Sequence, residues 1–247
     1  MITLRQILTL TINGLRSQFR DSQLVFWNYA FFLMLLTLFV SALGRDPSVR
    51  VVMVSGIVTI GVMATALFSV GIGMAASRDR GIYRRLSMFP VPASTFLWGS
   101  LIPRWFVAFS SAAVQILVAR VLFGVTWPGG AATWLVGLAV GSAAFCGIGF
   151  AIAGLAFASH RANAYANAIF VPMLILSGAA LPLSLFPAWM LPICHVLPST
   201  ALVQVLQGAI IRGDNVQATA AALGTMAAWA AGSGVIGAIA WHRRGMN

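Results

Sequence analysis

Lysine and glutamate are absent from this chain, only four aspartates occur, and charged residues make up 8% of its 247 positions. Without lysine it cannot contain a Gly-x-x-x-x-Gly-Lys-Ser/Thr phosphate loop. Asp21, Asp46, Asp79 and Asp214 lie far apart in sequence and offer no carboxylate pair for general acid–base work. His160, His195 and His242 stand alone, so neither a Ser-His-Asp nor a Cys-His set is in view. His195 reads as structural, and His160 and His242 as residues at the ends of apolar segments. The two cysteines, Cys146 in an apolar run and Cys194 in a proline-rich stretch, suit neither a structural disulfide nor a metal site. Covalent chemistry and a metal cofactor are therefore not expected, and the N-terminus does not read as a cleavable signal peptide.

Hydrocarbon fills the space these absences leave. Sixty per cent apolar residues lies outside the range of soluble domains. A bilayer core of about 30 Å takes about 20 apolar residues to cross, and six such segments fit. The expected fold is all-α: a polytopic membrane protein with six transmembrane helices, one domain over 1–247, and no soluble part large enough for a catalytic core. The net charge of +11 comes from 15 basic residues, all arginine. They fall in short clusters at segment ends, which is the positive-inside bias and not a nucleic-acid footprint.

Residues 1–22 differ from the rest. Leu4, Ile7, Leu8, Ile12, Leu15 and Phe19 recur at spacings of three and four, opposite Arg5, Thr9, Asn13, Arg16 and Arg20. That pattern predicts an amphipathic helix in the membrane interface. Spans are expected over 23–43, 51–76, 97–123, 131–158, 164–181 and 216–241. The fourth is rich in glycine and alanine, which allows close helix approach. Eleven arginines, counting Arg104, fall on the side of both termini and the 77–92 loop, against four including Arg120 on the other. Both termini and that loop are therefore expected in the cytoplasm.

Two stretches break the pattern of spans. Ser77–Pro92 packs Arg78, Asp79, Arg80, Arg84 and Arg85 between two apolar segments, followed by Phe89, Pro90 and Pro92. Lipid solvates such charge poorly, so the stretch belongs in water or against a partner, as a short helix built to dock. Gly81, Tyr83, Leu86 and Phe89 suggest the docking face. Residues 182–214 are too apolar for a solvated loop, yet Pro182, Pro187, Pro192 and Pro198 forbid one continuous spanning helix. Short helices that enter the outer leaflet and return fit this pattern, with Trp189 at the interface.

The chain resembles the membrane subunits of type 2 ABC exporters, the ABC-type 2 permeases. The match rests on the basic amphipathic helix before six spans and on Arg78-Asp79-Arg80-Gly81, Arg85-Leu86 and Pro90-Val91-Pro92 in the loop. It also rests on Ser177-Gly178, Pro182, Leu185-Phe186-Pro187, Trp189, Leu197-Pro198 and Gly208 before the last span. The family loop usually carries a Glu where this chain has Asp79. The resemblance implies a half-transporter: a second permease subunit, identical or not, and two copies of a separate ABC ATPase that binds ATP and Mg. Asp79, Arg80, Gly81, Tyr83, Arg84, Arg85, Leu86, Phe89 and Pro90 would form the ATPase-coupling helix. Gly178, Pro182, Pro187, Trp189, Pro192 and Pro198 would belong to an outer gate.

Arg104, Gln115 and Arg120 lie in the third span and are the candidates for a substrate pathway. Arg104 and Arg120 either snorkel to their nearer interfaces or face a cavity and attract an anionic group. Gln115 suits a helix–helix hydrogen bond. The expected cargo is amphipathic or lipophilic (a drug, antibiotic, glycolipid or lipid-linked product) and leaves the cell by efflux. The competing readings are an ATP-independent secondary transporter or channel, a membrane enzyme and a membrane scaffold. The four aspartates at or beyond span ends speak against ion coupling.

Overall fold

The computed structural model describes residues 2–86, 93–126, 128, 130–156, 158–181 and 183–244, in which every regular element is helical. The chain opens with α1 (Ile2–Arg20) and α2 (Ser22–Val25), passes through a π-helical turn at Phe26–Ala30, and continues as α3 (Phe31–Leu43). Then come α4 (Pro47–Asp79), α5 (Ile82–Leu86), α6 (Ala93–Phe123), α7 (Ala131–Leu155) and α8 (Ser159–Leu176). A 3₁₀ turn at Leu183–Leu185 leads to α9 (Leu191–Val196), α10 (Pro198–Gln207), a second π turn at Gly208–Arg212 and α11 (Ala220–Arg244).

The bundle is built around α4. Asp46 caps it by accepting the Ser48 N–H at 2.9 Å and the Ser48 hydroxyl at 2.7 Å, and Pro47 fills the first helical position. The same bonds hold the exposed Asp46 carboxyl below the usual carboxylate range. At 33 residues the helix is about 50 Å long, more than a bilayer core needs, so its ends project past the apolar layer. Most side chains from Val54 to Ala75 are buried, against α3, α6, α7, α8 and α10. At the end remote from α5, Arg50 donates from Nε to the Gly44 carbonyl at 3.0 Å and from Nη1 to the Phe123 carbonyl at 2.8 Å. One guanidinium thus closes the C-terminal ends of α3 and α6.

Helix α1 is amphipathic as expected, and it also packs on α6. A Cβ at Gly14 would come within 2.8 Å of Pro103, and one at Gly99 within 2.7 Å of Leu10. That leaves Leu8, Ile12 and Phe19 exposed as the outward apolar strip. Asp21 ends α1 and caps α2 through the N–H groups of Gln23 and Leu24. In the π turn the ladder loosens and its polar groups pair with α6 instead. The Ser111 hydroxyl donates to the Asn28 carbonyl, and the Tyr29 and Ser110 hydroxyls pair at 2.7 Å.

Helices α7 and α11 share the most extensive contact, made possible by small residues. A Cβ at Gly154 would lie 2.9 Å from the Gly237 carbonyl, and one at Gly237 would lie 2.9 Å from the Ala151 nitrogen. Trp105 donates its indole N–H to the Ala139 carbonyl at 3.0 Å and so fastens α6 to α7.

Among the described residues, five helices are long and apolar enough to cross a membrane: Ser22–Leu43, Pro47–Asp79, Thr95–Phe123, Ala131–Leu155 and Ala220–Arg243. The expected sixth, over 164–181, is shifted. Helix α8 starts at Ser159, so its first half carries His160, Arg161, Asn163 and Asn167, which lower its hydropathy. It stops at Leu176 because Gly178 turns the chain at φ 75°, a left-handed conformation. The expected span over 131–158 ends at Leu155, and that over 216–241 begins at Ala220.

The stretch before α11 is broken into short helices, but not because its prolines interrupt them. Pro192 lies in the first turn of α9 and Pro198 opens α10, where a missing N–H costs nothing. Pro187 sits in a turn, its carbonyl accepting from Met190 N–H at 2.9 Å, and Pro182 lies outside the described residues. Trp189 is 71% exposed. Helix α10 is buried along most of its length, and α9 is pinned beside it by Trp229 N–H on the Val196 carbonyl at 2.8 Å. Arg212, which donates from Nε and Nη2 to the one oxygen Oδ2 of Asp214, and the Thr133 hydroxyl, which donates to the Asp214 carbonyl at 3.0 Å, close the stretch.

The junction of α8 with α4 gives a test of this packing. A Cβ at Gly56 would stand 2.3 Å from the Ala179 carbonyl, whereas one at Gly224 meets nothing within 4 Å. Gly56→Ala is expected to destabilise the solubilised protein by about 1–3 kcal/mol, and Gly224→Ala to leave it unchanged or slightly more stable. Thermal unfolding of both variants in one detergent measures the difference, and equal melting would contradict the placement of 177–181 on α4.

Candidate functional site

The last turn of α4 carries the charge cluster, and its first two members face the bundle. Arg78 donates from Nη2 to the Ala156 carbonyl, the cap residue of α7, and its guanidinium lies 5.5 Å from the centroid of the Trp241 ring. Asp79 accepts the Ser159 N–H on Oδ2 at 2.8 Å. Ser159 is the first residue of α8, whose own cap position holds Ala158 and provides no side-chain acceptor. Asp79 therefore caps α8 from a neighbouring helix and places its negative charge at the positive end of that helix.

Beyond Asp79 the chain turns. Arg80 N–H closes on the Ala76 carbonyl at 3.1 Å, Gly81 N–H on the Arg78 carbonyl at 2.8 Å, and Gly81 takes φ 68°. The expected short helix follows as α5. Tyr83, expected on its docking face, points the other way and meets the Trp241 ring edge-on at a centroid distance of 5.0 Å. Trp241 also lies 6.0 Å from Phe150. The outward surface is Arg80, Ile82 and Arg85, all exposed. Only the backbone of Arg84 and Leu86 is described, and Phe89 and Pro90 lie outside the described residues.

The root of α5 is thus fixed to α7 through Ala156, to α8 through Ser159, and to α11 through Trp241. Sequence reasoning assigned Asp79 and Arg80 to a partner and passed over Arg78, Ser159 and Trp241 as site residues. The available signal was Trp241 beside His242 and Arg243, which reads equally well as an ordinary membrane-interface tryptophan.

Next to this root a cavity of about 1130 Å³ opens among α1, the Phe26–Ala30 turn, α4, α5 and α6. Arg80 and Ile82 line it beside α5, Ser17 and Asp21 line it from α1 and the turn after it, and Phe31, Phe32, Phe68 and Phe170 belong to its apolar lining. Arg104 lies on its wall, donating from Nε to the Ser69 carbonyl at 3.0 Å and from Nη1 to the Ser100 carbonyl at 2.5 Å. The other two pathway candidates are elsewhere. Gln115 is fully buried in the packing of α6 on α4, where a Cβ at Gly61 would come within 3.0 Å of its amide nitrogen. Its bonds are long ones back to Ser111, at 3.4 and 3.5 Å, and not to another helix. Arg120 is exposed near the far end of α6. Among the described residues no group of His, Cys, Asp and Glu could hold a metal ion.

The packing around Trp241 predicts that Trp241→Leu frees α5 without unfolding the bundle. Losing the Tyr83 edge contact and the Arg78 interaction is worth about 1–2 kcal/mol locally, or roughly tenfold faster amide exchange over residues 82–86. Hydrogen exchange by mass spectrometry reads this directly, and unchanged exchange would show that α5 is held by something else.

The family model described as ABC-2 type transporter matches residues 5–211 of the chain. A comparison with curated proteins returns no match. The matched region takes in α1, the α5 root, the cavity and the short helices up to the second π turn. On that extent of agreement the chain belongs to the ABC-2 type transporter family: it is a multi-pass membrane permease component, of a kind whose subunits lack the ATPase domain and generally pair with ATPase subunits.

Proposed function

We propose that the chain is one half of an ATP-driven exporter, paired with a second permease subunit and powered by two ATPase subunits that bind ATP and Mg. In this reading the end carrying 77–92 is cytoplasmic, together with both termini, in a bacterial inner membrane. The observation that carries the proposal is the fastening of α5. A push on Arg80, Ile82 and Arg85 reaches α7, α8 and α11 at once, because Ala156, Ser159 and Trp241 all bear on the two residues before the turn or on α5 itself. Segment 77–92 then serves as the coupling element, with Asp79 positioning α8 and the three outward side chains meeting the ATPase.

Helix α8 completes the bundle as the sixth span. Its buried stripe is Ala162, Ala166 and Met173, while Arg161, Asn163, Tyr165 and Asn167 are exposed. Polar groups in that number do not face lipid at low cost, which favours a surface turned to the second subunit and to a wet pathway between the two. The short helices over 182–214, with Gly178 at their entry and Pro187, Trp189, Pro192 and Pro198 within them, suit an outer gate. The cargo is amphipathic, of the class of drugs, antibiotics or lipid-linked products, and moves outward. The four aspartates sit at helix ends or beyond them, away from the mid-membrane positions that ion-coupled carriers use.

Affinity purification of the tagged chain from its host tests this. The wild type is expected to bring down an ATPase subunit in stoichiometric amount. The double variant Arg80→Glu, Arg85→Glu should lose it while keeping membrane insertion and melting temperature. Retention of the ATPase by the variant, or a stable wild-type complex without one, would contradict the coupling role.

A further inference from the structure

The cavity beside α5 has an electrostatic imbalance. Arg104 sits on the wall of a mostly apolar space, within a helix that can cross the membrane, and among the described residues it donates to two backbone carbonyls and to no carboxylate. Carbonyl dipoles orient a guanidinium but do not neutralise it, and an uncompensated cation at that depth is costly. Asp21, on the same wall, spends its Oδ1 on the N–H groups of Gln23 and Leu24. Thr65 supplies a second, independent sign. Thr65 lines the same cavity one helical turn from Ser69, and its buried hydroxyl has no hydrogen-bond partner among the described residues. The end of the cavity nearest α5 is basic too: Arg80 lines it, and Arg16 and Arg20 line an adjoining polar pocket that shares Asn13, Ser17 and Asp21 with it.

We propose that this cavity binds an anionic amphiphile, with the phosphate or carboxylate headgroup on Arg104 and the Thr65 hydroxyl and the apolar tail among Phe31, Phe32, Phe68 and Phe170. A guanidinium with free N–H donors and a fixed plane is suited to such oxyanions. The volume, about 1130 Å³, is that of a site for one lipid-like molecule and not for a polymer. The amphiphile enters from the end of the cavity nearest α5, past Arg80, and is the transported cargo. That last step alone rests on the exporter reading.

Equilibrium binding of radiolabelled dodecyl phosphate to the full chain in phosphatidylcholine nanodiscs tests the site without any ATPase. Saturable binding is expected, at least about tenfold tighter than that of dodecanol and not displaced by inorganic phosphate. Arg104→Gln should weaken it by about tenfold or more, Arg104→Lys by less, and the isosteric Thr65→Val by a few-fold. Thr65→Val keeps the test alive should the arginine variants misfold. Equal binding by wild type and by well-folded Arg104→Gln, or no preference over dodecanol, would overturn the site. In the complex with its ATPase, dodecyl phosphate should stimulate ATP hydrolysis in the wild type and not in Arg104→Gln. Binding without stimulation would make the occupant a resident lipid and overturn its assignment as cargo. Failure to recover any ATPase would sink the exporter reading and leave the binding result standing.

Discussion

An arginine set against the backbone carbonyls of a helix, most often those that end it, recurs through this molecule. Arg50 closes α3 and α6 at one end, Arg78 closes α7 at the other, and Arg104 holds the carbonyls of Ser69 and Ser100 within two helices long and apolar enough to cross a membrane. The last carbonyls of a helix have no partner inside it and carry its negative partial charge. In water they are solvated, but near lipid they need a donor. A guanidinium offers five N–H groups, keeps its charge and reaches two helices at once. A chain with no glutamate and four aspartates has few carboxylates to offer its arginines, and helix ends serve in their place.

This constraint also explains where function sits. Because Arg78 and Asp79 are used inward, the turn at Gly81 projects a short helix from a base that is bonded to α7 and α8 and packed on α11. Arg104 is the member of the set that lines a large cavity, and it is there that carbonyls alone leave a charge unbalanced. In the proposed reading the permease combines a surface that receives force with a pocket that receives an anion, and Arg80 and Ile82 belong to both.

Much of this was legible in the amino-acid sequence, and the rest was hidden for identifiable reasons. The apolar runs located α3, α4, α6, α7 and α11, since a span announces itself by length and composition. The α1 pattern gave the helix but not its seat on α6, because a pair of glycines, Gly14 and Gly99, makes that contact and glycine carries no hydropathy signal. Helix α8 was shifted because the polar residues Ser159 to Asn163 read as a turn, whereas Asp79 supplies the cap that lets the helix begin there. A cap donated from eighty residues away leaves no local trace. Tyr83 looked like a docking residue on spacing alone, and only the position of Trp241 shows that it packs inward. The stretch before α11 is broken into short helices as expected, but Pro192 and Pro198 lie in the first turns of α9 and α10 and do not interrupt a helix.

In the proposed reading, α5 and the adjoining ends of α7, α8 and α11 move as one body when the ATPase closes. The direct measurement uses cysteines introduced by Tyr83→Cys and Trp241→Cys, joined by a short bifunctional cross-linker in the assembled complex. Hydrogen exchange is then followed over 183–212 with and without ATP. With Tyr83 and Trp241 replaced, the aromatic fastening of α5 to α11 is gone, so the ATP response of that outer stretch is expected to be weak with the link open and restored with the link closed, as one-body motion requires. Loss of the ATP response on closing the link would show that α5 must separate from α11 to transmit force, and would contradict one-body motion.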